Sequence, residues 1–113
     1  MDRPGYMDLL DSGELERRVD ALYGLLAACT VCPRDCGNDR LAGVLASCAS
    51  GLHPVVSAAT PHFGEEPCLS GTRGAGNVFF GNCNLRCVYC QNWQISQDYK
   101  GQLPNETTVE RLA

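Results

Sequence analysis

No stretch of the 113-residue sequence stays apolar for the roughly 20 residues that a membrane-spanning helix needs. The longest charge-poor run, Ala21 to Cys32, is too short and too mixed. Positive charge is not in excess either: 9 Lys and Arg against 13 Asp and Glu leave a net charge of −4. That disfavours a nonspecific nucleic-acid binder, which would need a basic face. The opening residues, MDRPGYMDLLDSGE, are acidic and lack the apolar core of a signal peptide, so the cytoplasm is the expected compartment. There is no Gly-Lys-Ser/Thr of a phosphate-binding loop, no internal repeat and no low-complexity tract. A complete (β/α)₈ barrel takes about 250 residues, so the sequence cannot hold a whole one. Hydrophobic content of 44% with 19% charged residues is an ordinary globular balance and argues against disorder throughout.

Cysteine is what the sequence has in abundance. Its 8 cysteines are many for a chain in a reducing compartment unless the thiols bind metal. Four fall at Cys29, Cys32, Cys36 and Cys48, one stands alone at Cys68, and three crowd together at Cys83, Cys87 and Cys90. Short Cys-x₂-Cys and Cys-x₃-Cys steps are metal-ligand spacings rather than a disulfide framework.

Asp11 with Glu14 three residues later forms the pattern of a capping box. It opens a predicted helix whose apolar residues are Leu15, Val19, Leu22, Leu25 and Leu26, ending near Cys29 where β-branched residues and Pro33 follow. From Cys29 to Gly51 the pattern is loop-like, with at most one helical turn around Leu41 to Ser47, and it lacks the periodicity to fold unaided by metal. Val55 to Ala58 is a short strand candidate between prolines. The Gly- and Pro-rich PHFGEEPCLSGTRGAGN reads as loop or turn. Asn77 to Phe80 is the best strand, and its unbroken Val78-Phe79-Phe80 run reads as buried on both faces. Thr107 and Glu110 make a second capping box before Val109 and Leu112, and the helix they open is unfinished at Ala113. The expectation is the N-terminal part of a longer protein, with residues 1–60 as a helix and four-cysteine metal-binding segment and residues 61–113 as the start of an α/β barrel.

The run Cys83-Asn-Leu-Arg-Cys87-Val-Tyr-Cys90 places three thiols on one short loop directly after that strand. A structural zinc site closes with four ligands, and an electron-transfer [4Fe–4S] cluster is normally held by four cysteines. Three thiolates would hold three irons of a cube and leave the fourth open to a substrate or cofactor. A zinc or redox cluster completed by a distant fourth ligand is the competing reading.

CNLRCVYC resembles the signature of radical S-adenosylmethionine enzymes, with the aromatic Tyr89 before the third cysteine. The wider run HFGEEPCLSGTRGAGNVFFGNCNLRCVYCQNWQIS resembles the pyruvate formate-lyase activating enzyme-like branch, as does the upstream CTVCPRDCGNDR; the likeness spans about Cys29 to Ser96. The sequence departs from the branch in two places. Ala46 stands where the branch tends to have glycine before its fourth cysteine, and Cys68 stands where it commonly has proline. The resemblance implies the start of a partial (β/α) radical S-adenosylmethionine barrel, with a [4Fe–4S] cluster on Cys83, Cys87 and Cys90 and Tyr89 packed against the adenine of S-adenosylmethionine. It implies an oxidoreductase chemistry in which an electron from a reductant such as flavodoxin or ferredoxin cleaves S-adenosylmethionine to methionine and a 5′-deoxyadenosyl radical. The branch name points to a glycyl-radical enzyme as protein substrate. A small zinc or iron–sulfur module with a structural or electron-transfer role is the alternative from a different class.

Cys29, Cys32, Cys36 and Cys48 number four, enough for a zinc site or a second iron–sulfur cluster. Their spacing matches neither paired zinc knuckles nor the bacterial ferredoxin run. Cys68 reads as a small buried hydrophobe. Core packing is the competing reading of Tyr89. His62 with Glu65 and Glu66 could transfer protons, but a loop whose charges pair with one another is the better expectation. His53 reads as a surface residue. Gly71-x-x-Gly74-x-Gly76 precedes a strand instead of following one, so it is a flexible link and not a dinucleotide loop.

Overall fold

The computed structural model describes residues 3–113. The chain divides into two compact units, Met1–Val44 and Leu45–Ala113. In the first, α1 (Tyr6–Asp11) and α2 (Glu14–Gly24) are separated by Gly13, whose φ of +74° suits a residue without a Cβ. The expected Asp11–Glu14 capping box does not form. Asp11 ends α1 and pairs with Arg3, and the N-cap of α2 is Gly13, with no side-chain cap. The Glu14 carboxylate turns forward instead, to Arg17 and Arg18 at 2.7 Å each. Those two guanidinium groups hold its carboxyl down at about 2. Glu14 and Glu16 in the first turn also complement the positive end of the helix.

A 3₁₀ turn, Leu25–Ala28, leads into Cys29, and the predicted end of the helical stretch near Cys29 holds. The loop that follows folds back on itself. Cys29 N–H donates to Asn38 O, Gly37 N–H donates to Cys29 O, both at 3.0 Å, and Arg40 N–H reaches Leu26 O at 2.9 Å. Positive φ at Asp35 (+44°) and Gly37 (+63°) makes the return possible. The helical turn expected near Leu41 is absent. Asp39 takes Ala42 N–H on its carboxylate and Val44 N–H on its carbonyl, which closes the chain as turns.

In the second unit, β1 (Val56–His62) pairs antiparallel with β2 (Ala75–Phe80), with Thr60 opposite Asn77 and an irregularity between Val56 and Ala58. The connection holds α3 (Pro67–Ser70). Gly74 closes it: its φ is +79°, and a Cβ there would stand 2.8 Å from the Phe63 ring and 2.9 Å from His62 O. After β2 come α4 (Trp93–Ser96), α5 (Tyr99–Gln102), a 3₁₀ turn at Leu103–Asn105 and α6 (Val109–Leu112). The N-cap of α6 is Thr108, one residue later than the capping-box pattern placed it. Gly81 N–H to Val55 O (2.8 Å), the bridge of Val55 to Glu106, and Thr107 N–H to Pro54 O (2.9 Å) lash these later elements to the start of β1. Because the two strands pair, both belong to one unit, so the division falls at Val44/Leu45 and not at residue 60.

The expectation that β2 is buried on both faces is corrected: Val78, Phe79 and Phe80 are 43%, 43% and 56% exposed. Its one strand partner among the described residues is the antiparallel β1, where a barrel strand would have parallel neighbours. Among the described residues, Cys29 and Val55 are the hydrophobic side chains that are buried, with Ser70 and Gln102 among polar ones. Two separately folded units of these lengths would together expose about 7,300 Å²; the chain exposes 8476 Å². The total exposed surface is thus larger than the norm for this size, and large apolar side chains such as Phe63, Leu69 and Leu103 stand mostly open. No helix among the described residues is long and apolar enough to cross a membrane.

Candidate metal centre: the cysteine loop

The loop begins as β2 ends. Asn82 takes a φ of +64°, donates its N–H to Ile95 O at 2.7 Å and its side-chain Nδ2 to Ala49 O at 2.9 Å. Asparagine tolerates the left-handed region better than most residues, so this position turns the chain out of the strand and into the cysteines. Cys83, Cys87 and Cys90 follow, all half-buried. Leu85 N–H donates to Cys83 Sγ at 3.4 Å, Cys90 N–H closes a turn on Cys87 O at 3.2 Å, and Cys90 Sγ lies 3.2 Å from Ser96 Oγ. Gln97 Nε2 donates to Cys87 O at 3.4 Å.

Arg86, inside the motif, works as a clasp. Its Nη1 donates to Cys83 O (2.9 Å) and Leu85 O (2.8 Å), its Nη2 donates to Ser47 O, and its guanidinium lies 4.7 Å from the Tyr99 ring centroid. The Tyr99 hydroxyl stands between Ser47 O (3.0 Å) and Cys83 O (3.3 Å), with one proton to give. Asn82, Arg86 and Tyr99 were not singled out by the sequence reading. Only the Gly81-Asn82 turn dipeptide hints at the first; the other two act through contacts that no local pattern encodes.

Tyr89 is 84% exposed and its neighbour Val88 is 99% exposed. Packing of Tyr89 in a core is therefore not what the structure has, and the ring is accessible to a stacking partner. No disulfide joins any of the eight cysteines. Among the described residues, no three or more His, Cys, Asp or Glu side chains are gathered closely enough to hold a metal ion. The loop thiols instead have local partners, Cys83 with Leu85 N–H and Cys90 with Ser96. The donor set itself, three soft thiols within eight residues, fits an iron–sulfur group in type and spacing.

The remaining cysteines fall in both units. Cys29, Cys32 and Cys36 lie in the first unit and Cys48 in the second. Cys29 is buried; the Val31 backbone N–H on its sulfur, aided by Arg40 Nη1 at 3.9 Å, draws its thiol below the ordinary range. Cys36 Sγ turns toward Asn38 Oδ1. Cys68, expected to be buried, is exposed on α3. His62 Nε2 and Glu65 Oε1 lie 3.4 Å apart, both largely exposed, which is the paired surface loop that was expected. His53 is exposed, as expected.

Two uncharacterized proteins of Methanocaldococcus jannaschii are similar to the chain. MJ0808 is 32% identical over 98 residues, covering 74% of this chain and 29% of its own length. MJ0674 is 50% identical over 38 residues, covering 34% of this chain and 10% of its own length. The chain thus spans less than a third of either relative it matches. No protein-family model and no solved structure matches it.

Proposed function

We propose that this chain carries the cluster-binding loop of a cytoplasmic radical S-adenosylmethionine enzyme, with Cys83, Cys87 and Cys90 as the ligands of a [4Fe–4S] cluster. The observation that carries the reading is three half-exposed thiols on one loop at the end of a strand, beside an exposed aromatic ring, Tyr89. Three thiolates are one fewer than a closed zinc or electron-transfer site takes, which favours a cluster with an open iron. When bound, such a cluster supplies the electron that cleaves S-adenosylmethionine, drawn from a flavodoxin or ferredoxin type of reductant. The protein's own part is to position and shield. Asn82 turns the chain out of the strand into the loop, Leu85 N–H donates to the Cys83 sulfur, Arg86 and Tyr99 pin the loop, and Tyr89 offers its face to adenine. The partial barrel and a glycyl-radical enzyme as protein substrate belong to this same reading.

A second metal, zinc or iron–sulfur, at Cys29, Cys32 and Cys36 is favoured by one observation. The folded-back loop places the Val31 N–H on Cys29 sulfur, two residues on, the same local contact that Leu85 makes with Cys83. The test of the main reading is spectroscopic. Adding S-adenosylmethionine to the anaerobically reconstituted, reduced chain should change the cluster's electron paramagnetic resonance, because an open iron accepts the ligand. An unchanged spectrum would favour a closed zinc or electron-transfer module.

A further inference from the structure

Three consecutive residues at the end of α4 hold the cysteine loop at three points. Ile95 O accepts from the Asn82 N–H at 2.7 Å where the loop begins, Gln97 Nε2 donates to Cys87 O at 3.4 Å at its middle, and Ser96 Oγ lies 3.2 Å from Cys90 Sγ at its end. Of the three contacts, the last is the one that reaches a sulfur. Ser96 does not owe its place to that sulfur. Its own N–H donates to Asn92 O at 2.9 Å and the next N–H, of Gln97, donates to Trp93 O at 2.8 Å, so the backbone turn fixes the hydroxyl whatever the state of the thiol. Ser96 and Cys90 are both half-buried, where water competes less for the hydroxyl than on an open surface. Between a thiol and a hydroxyl either group can donate. A sulfur that ligates iron carries no proton, so there the hydroxyl is the donor, and a donor to a charged acceptor is of the stronger kind. Leu85 N–H makes a similar contact with Cys83 Sγ, but it is a backbone group; Ser96 offers a side-chain donor that a substitution can remove.

We propose that Ser96 is a positioning residue of the cysteine-loop site: its hydroxyl donates to the Cys90 sulfur, orients it as a ligand and raises the reduction potential of the cluster. The inference rests on the cluster reading above and leaves the fourth iron open. One electron arrives from the reductant, part of its charge spreads onto the ligand sulfurs, and no bond breaks and no proton moves at Ser96. A hydroxyl aimed at one of those sulfurs stabilises the reduced form more than the oxidised one, as hydrogen bonds to cluster sulfurs do.

Reductive titration of the anaerobically reconstituted full chain, followed by electron paramagnetic resonance, tests this on wild type, Ser96→Ala and Ser96→Thr. The alanine chain should keep its iron and cluster absorption and need a lower potential for half-reduction. The expected effect is about a tenfold fall in the ratio of reduced to oxidised cluster at a given poise, which is about 59 mV for a one-electron couple. The threonine chain keeps the hydroxyl and should titrate with the wild type. An alanine chain that titrates with the wild type would overturn this inference and leave the cluster reading standing. A threonine chain shifted as far as the alanine chain would overturn it too, since the effect would then belong to packing and not to the hydroxyl. If the alanine chain holds no cluster, the threonine chain decides: wild-type iron and potential support the hydroxyl, and loss of iron there as well overturns it. A wild-type chain that forms no cluster would overturn the cluster reading and this inference with it.

Discussion

Gly81→Ala should unsettle the ground on which the cysteine loop stands. Gly81 is the hinge between β2 and Asn82, and its N–H donates to Val55 O at 2.8 Å. A Cβ at this position would meet Val55 Cγ1 at 2.7 Å and Gln102 Oε1 at 2.8 Å, distances that real Cβ contacts do not reach. Val55 and Gln102 are two of the few buried residues among those described, and Gln102 is further held by Asn105 Nδ2 at 3.0 Å. Neither can move without disturbing the small core, so the clash should cost about 1–3 kcal/mol, the range for overpacking. At about 2 kcal/mol the folded-to-unfolded ratio falls roughly 30-fold. With a urea slope near about 2 kcal/mol/M, the midpoint falls by about 1 M. Trp93, the one tryptophan of the sequence, lies on α4 and reports the unfolding of this unit by fluorescence. Gly76→Ala is the control: it sits in β2 with nothing within 4 Å of a Cβ and should shift stability by no more than about 0.5 kcal/mol. Equal urea midpoints for the two variants would refute the argument that Gly81 is present for lack of room.

Asn82→Gly should keep the left-handed turn and lose only the Nδ2 bond to Ala49 O, whereas Asn82→Ala loses the bond and strains the backbone; the alanine variant should be less stable by about 1 kcal/mol in the same urea titration. Glu14 should titrate by NMR at about 2. Since its folded value lies below the ordinary one, its stabilising contribution is present above the ordinary carboxylate range and lost as pH falls through about 2. Replacing both Arg17 and Arg18 by alanine should return the value to the ordinary range. If Cys29, Cys32 and Cys36 form their own metal site, a chain with Cys48, Cys83, Cys87 and Cys90 all replaced by alanine should still hold metal by elemental analysis; a metal-free chain would make the first three ordinary thiols.

The elements nearest the candidate site were legible where the pattern is local. An apolar run between turn residues marks β2, the Val-Val pair after Pro54 marks the start of β1 though the strand runs on through Pro61 to His62, and Cys-x₃-Cys-x₂-Cys marks the loop. What the pattern could not carry is who covers what. Val78-Phe79-Phe80 reads as doubly buried because an unbroken apolar run has no polar face, yet a strand paired only with β1 leaves much of those side chains open. The Asp11–Glu14 box has the right spacing, but two arginines one turn on compete for the carboxylate and win. The surroundings of Cys48 are another case: Arg86, Tyr99 and Asn82 bond, across 33 to 52 residues, to the carbonyls of Ser47 and Ala49 on either side of it. Those links are tertiary and leave no trace in a window of sequence.

The most direct test of the central claim is iron per chain after anaerobic reconstitution, compared between Cys87→Ala and Cys68→Ala. Cys87 lies at the middle of the loop and Cys68 lies exposed on α3, outside it. The Cys68→Ala chain should match the wild type in iron and in its cluster absorption. The Cys87→Ala chain should lack the loop cluster and the resonance change on adding S-adenosylmethionine. Equal iron in the two variants, with the same spectrum, would contradict the assignment of the loop as a cluster site.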